Sequence, residues 1–183
     1  MSEYTIGLSR ADEVGAMPGI ELRAGALFSP EDLAPEWASK TTALSVYEQA
    51  QREARLIVAR DAAGCVVGFA LLIQVGGIPH LEEVDVEPDS GRRGIGRLLV
   101  LASCDWARAQ GSDRITLSTF RDVAWNAPFY ARLGFDEIPE PDLSAALRRL
   151  REKEGREGLD PSKRIMMCRI ISDLEHEGNV FAD

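Results

Sequence analysis

The stretch Ile78–Leu99, IPHLEEVDVEPDSGRRGIGRLL, constrains this chain more than any other. Its apolar and acidic residues predict a strand over Leu81–Glu87, and Pro88 with a polar turn ends it. A loop follows in which glycines alternate with arginines: Gly91, Arg92, Arg93, Gly94, Ile95, Gly96, Arg97. A helix is predicted to start at Gly94. Glycine lets a backbone approach a ligand closely and adopt positive φ at little steric cost. The first turn of a helix carries unpaired N–H groups and the positive end of the helix dipole. Strand, glycine loop and helix in that order form a cradle for phosphate oxygens. The glycine order is GxxGxG, the reverse of the dinucleotide fingerprint, and no GK[ST] closes it as in a P-loop. Taken alone, a tight turn with solvated arginines accounts for the loop equally well.

The remaining chemistry is bounded by composition. A chain of 183 residues suits one domain, 1–183, with enough chain to bury a core. A net charge of -9 argues against a nucleic-acid binder, which needs a basic face. It is compatible with cationic partners, although acidity more often serves solubility. The three cysteines, Cys65, Cys104 and Cys168, have neither disulfide-framework nor zinc spacing, so reduced thiols in a cytoplasm are expected. With only His80 and His176, no multi-histidine metal site is expected. No apolar run approaches a membrane span, and MSEYTIGLSRADE lacks signal-peptide blocks.

Along the chain, Tyr4–Leu8 alternates as a first strand. Ser9 with Asp12 suggests a capped helix that Met17-Pro18-Gly19 interrupts, and Ile20, Ala24, Leu27 and Phe28 share a helical face. Ser29-Pro30-Glu31-Asp32 resembles a helix start, and Thr41–Glu53 reads as a further helix. Strands are expected at Arg55–Arg60 and Cys65–Val75, joined by Asp61-Ala62-Ala63-Gly64, with Gly76-Gly77-Ile78-Pro79 as the next turn. Ile95, Leu98, Leu99, Ala102, Trp106 and Ala109 give the clearest helical stripe, closed by Gly111. A strand at Arg114–Phe120, a helix at Ala124–Leu133 and a short strand at Phe135–Ile138 follow. Pro139–Pro161 reads as a helical insertion with an apolar stripe of Leu143, Ala146, Leu147 and Leu150. It is a surface helix, or else a lid or homodimer contact. A strand at Arg164–Ile171 ends the core, residues 4–171, and an acidic tail of low order runs from Ser172 to Asp183. The order describes a mixed α/β layer fold.

A second constellation, DVAWNAPFYARLGF over Asp122–Phe135, sets Asn126 and Tyr130 one turn apart on a short helix. Phe129 and Tyr130 are adjacent, so one of them faces a groove while the other packs inward. With both stretches in view, the chain resembles the GNAT superfamily of acyl-CoA-dependent N-acetyltransferases. VEPDSGRRGIGRLL is similar to that family's [RQ]xxGx[GA] loop, and WNAPFYARLGF to its Asn, Tyr and Leu-Gly-Phe segment. Two departures stand out. Gly91 occupies the family's leading Arg or Gln position, and Asn126 lies closer to the tyrosine than the usual asparagine does.

The resemblance implies a twisted mixed sheet of six to seven strands flanked by helices. It also implies acetyl-CoA as co-substrate, with no metal. The backbone of Val84, Asp85 and Val86 would pair with the pantetheine arm, and the amides from Arg92 to Arg97 would hold the pyrophosphate. Gly91, Gly94, Ile95, Gly96, Asn126 and Phe129 complete the expected cofactor contacts. Tyr130 is the expected general acid. A phenol opposite a thiolate is uphill by about 2 kcal/mol in water, so the site would have to strengthen it. Glu82, Glu83 and His80 are the candidate bases; strict strand alternation would put His80, Glu82, Val84 and Val86 on one face and Leu81, Glu83 and Asp85 on the other. Glu21 and Arg23 are weaker candidates for the acceptor pocket. The expected reaction is direct acetyl transfer to a primary amine, on a small molecule or a peptide. The alternative is a non-catalytic acyl-CoA-binding or regulatory module of the same fold. No GxSxG run or histidine cluster supports a serine or metal hydrolase.

Overall fold

The computed structural model describes residues 3–171; the tail from Ser172 to Asp183 lies outside the described residues. In chain order the elements are β1 (Thr5–Leu8), α1 (Met17–Gly25), α2 (Pro35–Ala38), α3 (Leu44–Arg52), β2 (Leu56–Arg60), β3 (Val66–Val75), β4 (Ile78–Val86), α4 (Ile95–Ala109), β5 (Arg114–Phe120), α5 (Ala127–Ala131), β6 (Asp136–Glu137), α6 (Ala145–Glu157) and β7 (Arg164–Ile170). The strands form one sheet, β1-β2-β3-β4-β5-β7-β6. Every neighbouring pair is antiparallel except β4 and β5. None of the described helices is long and apolar enough to cross a membrane.

Both faces of the sheet are covered, which is why β3 reads as an almost unbroken apolar run. On one face α4 packs Ile95, Leu99, Ala102 and Trp106 against Ile57, Ala70, Leu81 and Leu117. On the other, Met17 and Ile20 of α1 and Tyr47 and Ala50 of α3 pack on Val58, Phe69 and Leu71. Each large side chain buried this way contributes about 1.5–3 kcal/mol relative to exposure. A third cluster forms where Leu143 and Leu147 meet Met166 of β7. The Ser144 hydroxyl caps α6 by accepting the Leu147 N–H. The stripe of the inserted helix is therefore buried against the sheet.

Several local expectations shift for physical reasons. Ser9 starts no helix: its N–H joins the Leu56 carbonyl beside the strand ladder (2.9 Å), and the Glu13 carboxylate caps the turn by accepting the Arg10 N–H (2.7 Å). Pro18 lies in the first turn of α1 instead of interrupting a helix, because proline lacks only a donor that the first turn leaves unused. Ser29 and Asp32 close a single hydrogen-bonded turn, and α2 begins later at Pro35. Gly76 and Gly77, with φ of 62° and 81°, make the β3–β4 turn by themselves, so Ile78 already pairs with Val75 and Pro79 belongs to β4.

Beyond Leu81 the β3–β4 register carries a bulge. Leu71 pairs with Glu83 and Leu72 with Leu81, which leaves Glu82 as the extra residue. Strict alternation therefore fails. Leu81, Val84 and Val86 all pack toward α4, while Glu83 and Asp85 stand opposite Leu71 and Phe69 on the α1 and α3 face. Gly68 holds β3 close to this segment; a Cβ there would meet the Asp85 carbonyl at 2.8 Å and the Val86 Cα at 3.3 Å. Gly68→Ala is expected to destabilise by about 1–3 kcal/mol through overpacking against backbone, measured as a lowered midpoint in thermal unfolding. An unchanged midpoint would show that β4 shifts without cost.

Candidate active site

Parallel pairing between β4 and β5 ends at Leu81 with Leu117, yet β4 continues to Val86 and β5 to Phe120. The strands diverge from that point, and the backbone of Val84, Asp85 and Val86 borders the opening. A cavity of about 660 Å³ lies there, lined by β4, β5, Asn126 and Tyr130, and by residues of α1, α2 and α6. Its size is ordinary for a small-molecule site.

At the cofactor end, β4 leads through a 3-10 turn, Pro88–Ser90, into the glycine loop. Arg92 adopts φ 59° and Gly94 φ 83°, two left-handed residues that turn successive amides toward one side. The first bond closing the loop onto the helix is Leu98 N–H to Gly94 O (3.1 Å), so the amides from Arg92 to Arg97 precede it. A cradle of this kind fits a pyrophosphate. Gly91 stands apart: its N–H donates to Pro88 O (3.1 Å), which commits it to the turn. Arg93 reaches the Tyr4 hydroxyl (3.3 Å) and Glu3 (3.8 Å). Gly96 faces Phe129, whose ring lies 3.7 Å from where a Cβ would sit. Ile95 is buried beneath the loop.

Tyr130 lies on α5, with its ring edge-on to Phe129 (5.2 Å) and Phe135 (5.8 Å). Both Phe129 and Tyr130 pack against the core, and Tyr130 also lines the cavity. Burial, then the negative charge of Asp85, pushes its phenol above the ordinary range. The Asn126 carbonyl oxygen accepts from Thr119 Oγ1 (2.7 Å), and its backbone oxygen accepts the N–H of Phe129 and Tyr130. Asn126 thus ties α5 to the end of β5 and orients the tyrosine.

The bulge brings the acids together. Glu83 and Asp85 are within hydrogen-bonding reach of each other, and burial raises both carboxyls, Glu83 well above the usual carboxylate range. The Asp85 Oδ2 atom is buried and has no hydrogen-bond partner among the described residues. Tyr47 lies between two carboxylates. Its hydroxyl is 2.7 Å from Glu21 and 3.3 Å from Glu83. Glu21 also accepts from the Thr42 N–H and hydroxyl. Glu82, the bulged residue, is raised by burial and then by Glu154. Beside it Arg164 binds Glu154 (3.0 Å) and the Ser118 hydroxyl (2.9 Å), joining α6, β5 and β7 at the rim.

His80 is 1% exposed beneath Glu82. Its Nδ1 is 2.8 Å from Thr116 Oγ1 and its Nε2 3.9 Å from Glu82. Burial, aided by the Arg164 charge, pushes the imidazole down to about 4, so it is neutral at neutral pH. Arg23 pairs with Glu87 (2.9 Å) and does not line the cavity. Tyr47, Glu154 and Arg164 escaped the sequence reading because their partners lie distant in the chain, and their local patterns are those of an ordinary helix and strand end.

A mixed sheet that parts between two parallel strands, with a glycine cradle beside the opening, defines an acyltransferase-like fold. The acetyltransferase (GNAT) family model matches residues 24–135, and the chain belongs to that family. A mycothiol acetyltransferase of Clavibacter michiganensis subsp. michiganensis is 37% identical over 82 residues, 45% of this chain and 27% of that protein. A glucosamine 6-phosphate N-acetyltransferase of Trypanosoma brucei brucei is 31% identical over 86 residues, 43% of this chain and 56% of that one. The chain thus spans roughly a quarter to a half of these relatives. Among solved structures, the ribosomal-protein-S18-alanine N-acetyltransferase of Escherichia coli superposes with a TM-score of 0.63 at 19% identity, covering 96% of this chain and 99% of that one. The PaiA N-acetyltransferase of Thermoplasma acidophilum, solved with coenzyme A, gives 0.62 at 15% identity, covering 93% and 99%. At these identities the likeness is one of fold.

A histidine buried neutral costs stability once it must be protonated. Its folded pKa lies below the unfolded value, so the loss grows as pH falls from about 6.5 through 4. The midpoint difference, His80→Asn minus wild type, is expected to become more positive from pH 7 to pH 4 in thermal unfolding. A constant difference would refute the burial effect.

Proposed function

We propose that the protein transfers an acetyl group from acetyl-CoA to a primary amine by direct attack within one cavity. The observation that carries this reading is the orphaned Asp85 Oδ2, buried beside Glu83 and charge-coupled to Tyr130, where the two strands part. The open edge of Val84, Asp85 and Val86 suits a pantetheine arm, and the amides of the glycine loop suit its pyrophosphate. Arg92 and Arg97 add positive charge to that end.

Acetyl-CoA supplies the thioester: its acetyl carbon becomes bonded to the amine nitrogen as the carbon–sulfur bond breaks. The Glu83–Asp85 pair takes the proton that the ammonium must lose, and Tyr130 gives its phenolic proton to the departing sulfur. The two acts are linked electrostatically. Burial, and then negative charge on Asp85 and Glu83, holds the phenol high; when the pair takes up a proton, one negative charge is removed and Tyr130 becomes a stronger acid. Glu82 is raised too, by burial and then by Glu154, with Lys153 and Arg164 opposing. His80 supports the strand beneath it. Three free thiols, at Cys65, Cys104 and Cys168, favour a reducing compartment such as the cytoplasm.

Two measurements test the reading by thiol release. Tyr130→Phe is expected to lower kcat by about 10²–10⁴, with acetyl-CoA binding by calorimetry unchanged; full turnover in this variant, or no acetyl-CoA binding by the wild type, overturns the proposal. The base must be ionised, so kcat/KM is expected to rise with pH through a pKa above the ordinary carboxylate range. Asp85→Asn removes a charge that raises Glu83, so that limb moves to lower pH. An unmoved limb takes the pair out of the role.

A further inference from the structure

The acceptor side of the cavity is bridged by two connections remote in sequence. Trp37 of α2 lies against Gly158, the residue that ends α6 at φ 105°; a Cβ on Gly158 would sit 2.8 Å from the indole nitrogen. Nearby, the Lys163 ammonium donates to the Glu31 carbonyl. The segment between α1 and α3 and the segment after α6 therefore meet across from β4, and a polypeptide would have to part them to enter.

One wall of this end is apolar. Phe28, Leu33, Trp37, Phe120, Leu150 and Leu159 line it. Phe28 stacks obliquely on Phe120 with centroids 5.4 Å apart. Some of the charges around it are matched. Glu154 is paired with Arg164, Glu157 with Lys153 (3.7 Å), and Glu21 is held by Thr42 and Tyr47. Burial and then the charge of Glu154 raise the Glu82 carboxyl, against the smaller opposing pull of Lys153 and Arg164. A buried place for a cation lies at Glu83 and the Asp85 oxygen that has no hydrogen-bond partner among the described residues.

We propose that the acceptor is a small amine with an apolar or aromatic body. Its amine meets Glu83 and Asp85, its body packs among Phe28, Trp37 and Phe120, and the Trp37–Gly158 contact keeps polypeptides out. The inference rests on the acetyl-transfer reading above and narrows its substrate.

The test compares three probes with acetyl-CoA: 2-phenylethylamine, spermidine and a lysine-containing peptide. Wild-type kcat/KM is expected to be at least about tenfold higher for 2-phenylethylamine than for either other probe, a modest margin for one apolar group in a fitted pocket. Trp37→Ala is expected to raise KM for 2-phenylethylamine about tenfold while kcat stays within about twofold, and to narrow the gap to the peptide; Trp37→Phe restores KM. Acetyl-CoA affinity of each variant, by calorimetry, serves as the control for folding. Preference for spermidine or the peptide, abolished by Tyr130→Phe, overturns this inference and leaves the acetyl-transfer reading standing. An unchanged KM in Trp37→Ala overturns it too. No thiol release with any of the three overturns both.

Discussion

Between β3 and β4 one residue, Glu82, has no cross-strand partner, and the arrangement of the site depends on that mismatch. A bulge shifts the side-chain alternation of everything after it by one position. Here it turns Val84 and Val86 toward the α4 core and sends Glu83 and Asp85 to the face covered by α1 and α3. The same strand then parts from β5 beyond Leu81. One irregularity and one divergence thus place an open backbone edge and a group of acids beside the same cavity.

Carboxylates gathered away from water and without a matching cation resist ionisation, and this governs the electrostatics of the site. Glu83 and Asp85 are both raised, and each charge they hold raises Tyr130 in turn. In the proposed reaction a cationic amine among them would relieve that strain and find an acceptor for its proton. At the far end of the cavity Arg164 balances Glu154 and bonds Ser118, so the two ends differ in character: paired charges at the rim, an unpaired acid within.

The segment between β6 and β7 extends this division. Leu143 and Leu147 anchor it to β7, while Leu150, Lys153, Glu154 and Glu157 reach the cavity. Its end at Gly158 can accept Trp37 only because the residue there has no side chain. The family match, residues 24–135, stops before this segment begins.

Much of the fold was legible locally. The α4 stripe, the buried run of β3, the bounds of β5 and the glycine loop all follow from periodicity and turn chemistry, which depend on near neighbours in the chain. Tyr130 stood out for the same reason: its helix and the loop each carry a compact motif. Errors arose where a distant partner decided the outcome. Glu13 rather than Ser9 caps the first turn because Arg60, 47 residues away, holds its carboxylate. The two faces of β4 could not be assigned from alternation, because the bulge is a property of its pairing with β3 and leaves no mark on β4 alone. By itself the sequence determined the cradle, the tyrosine and the acidity of HLEEVDV. Tertiary structure alone decided which acids share a pocket, that Tyr47 and Arg164 join them, and that Trp37 closes over Gly158, since each of these is a contact between segments whose local patterns carry no trace of one another.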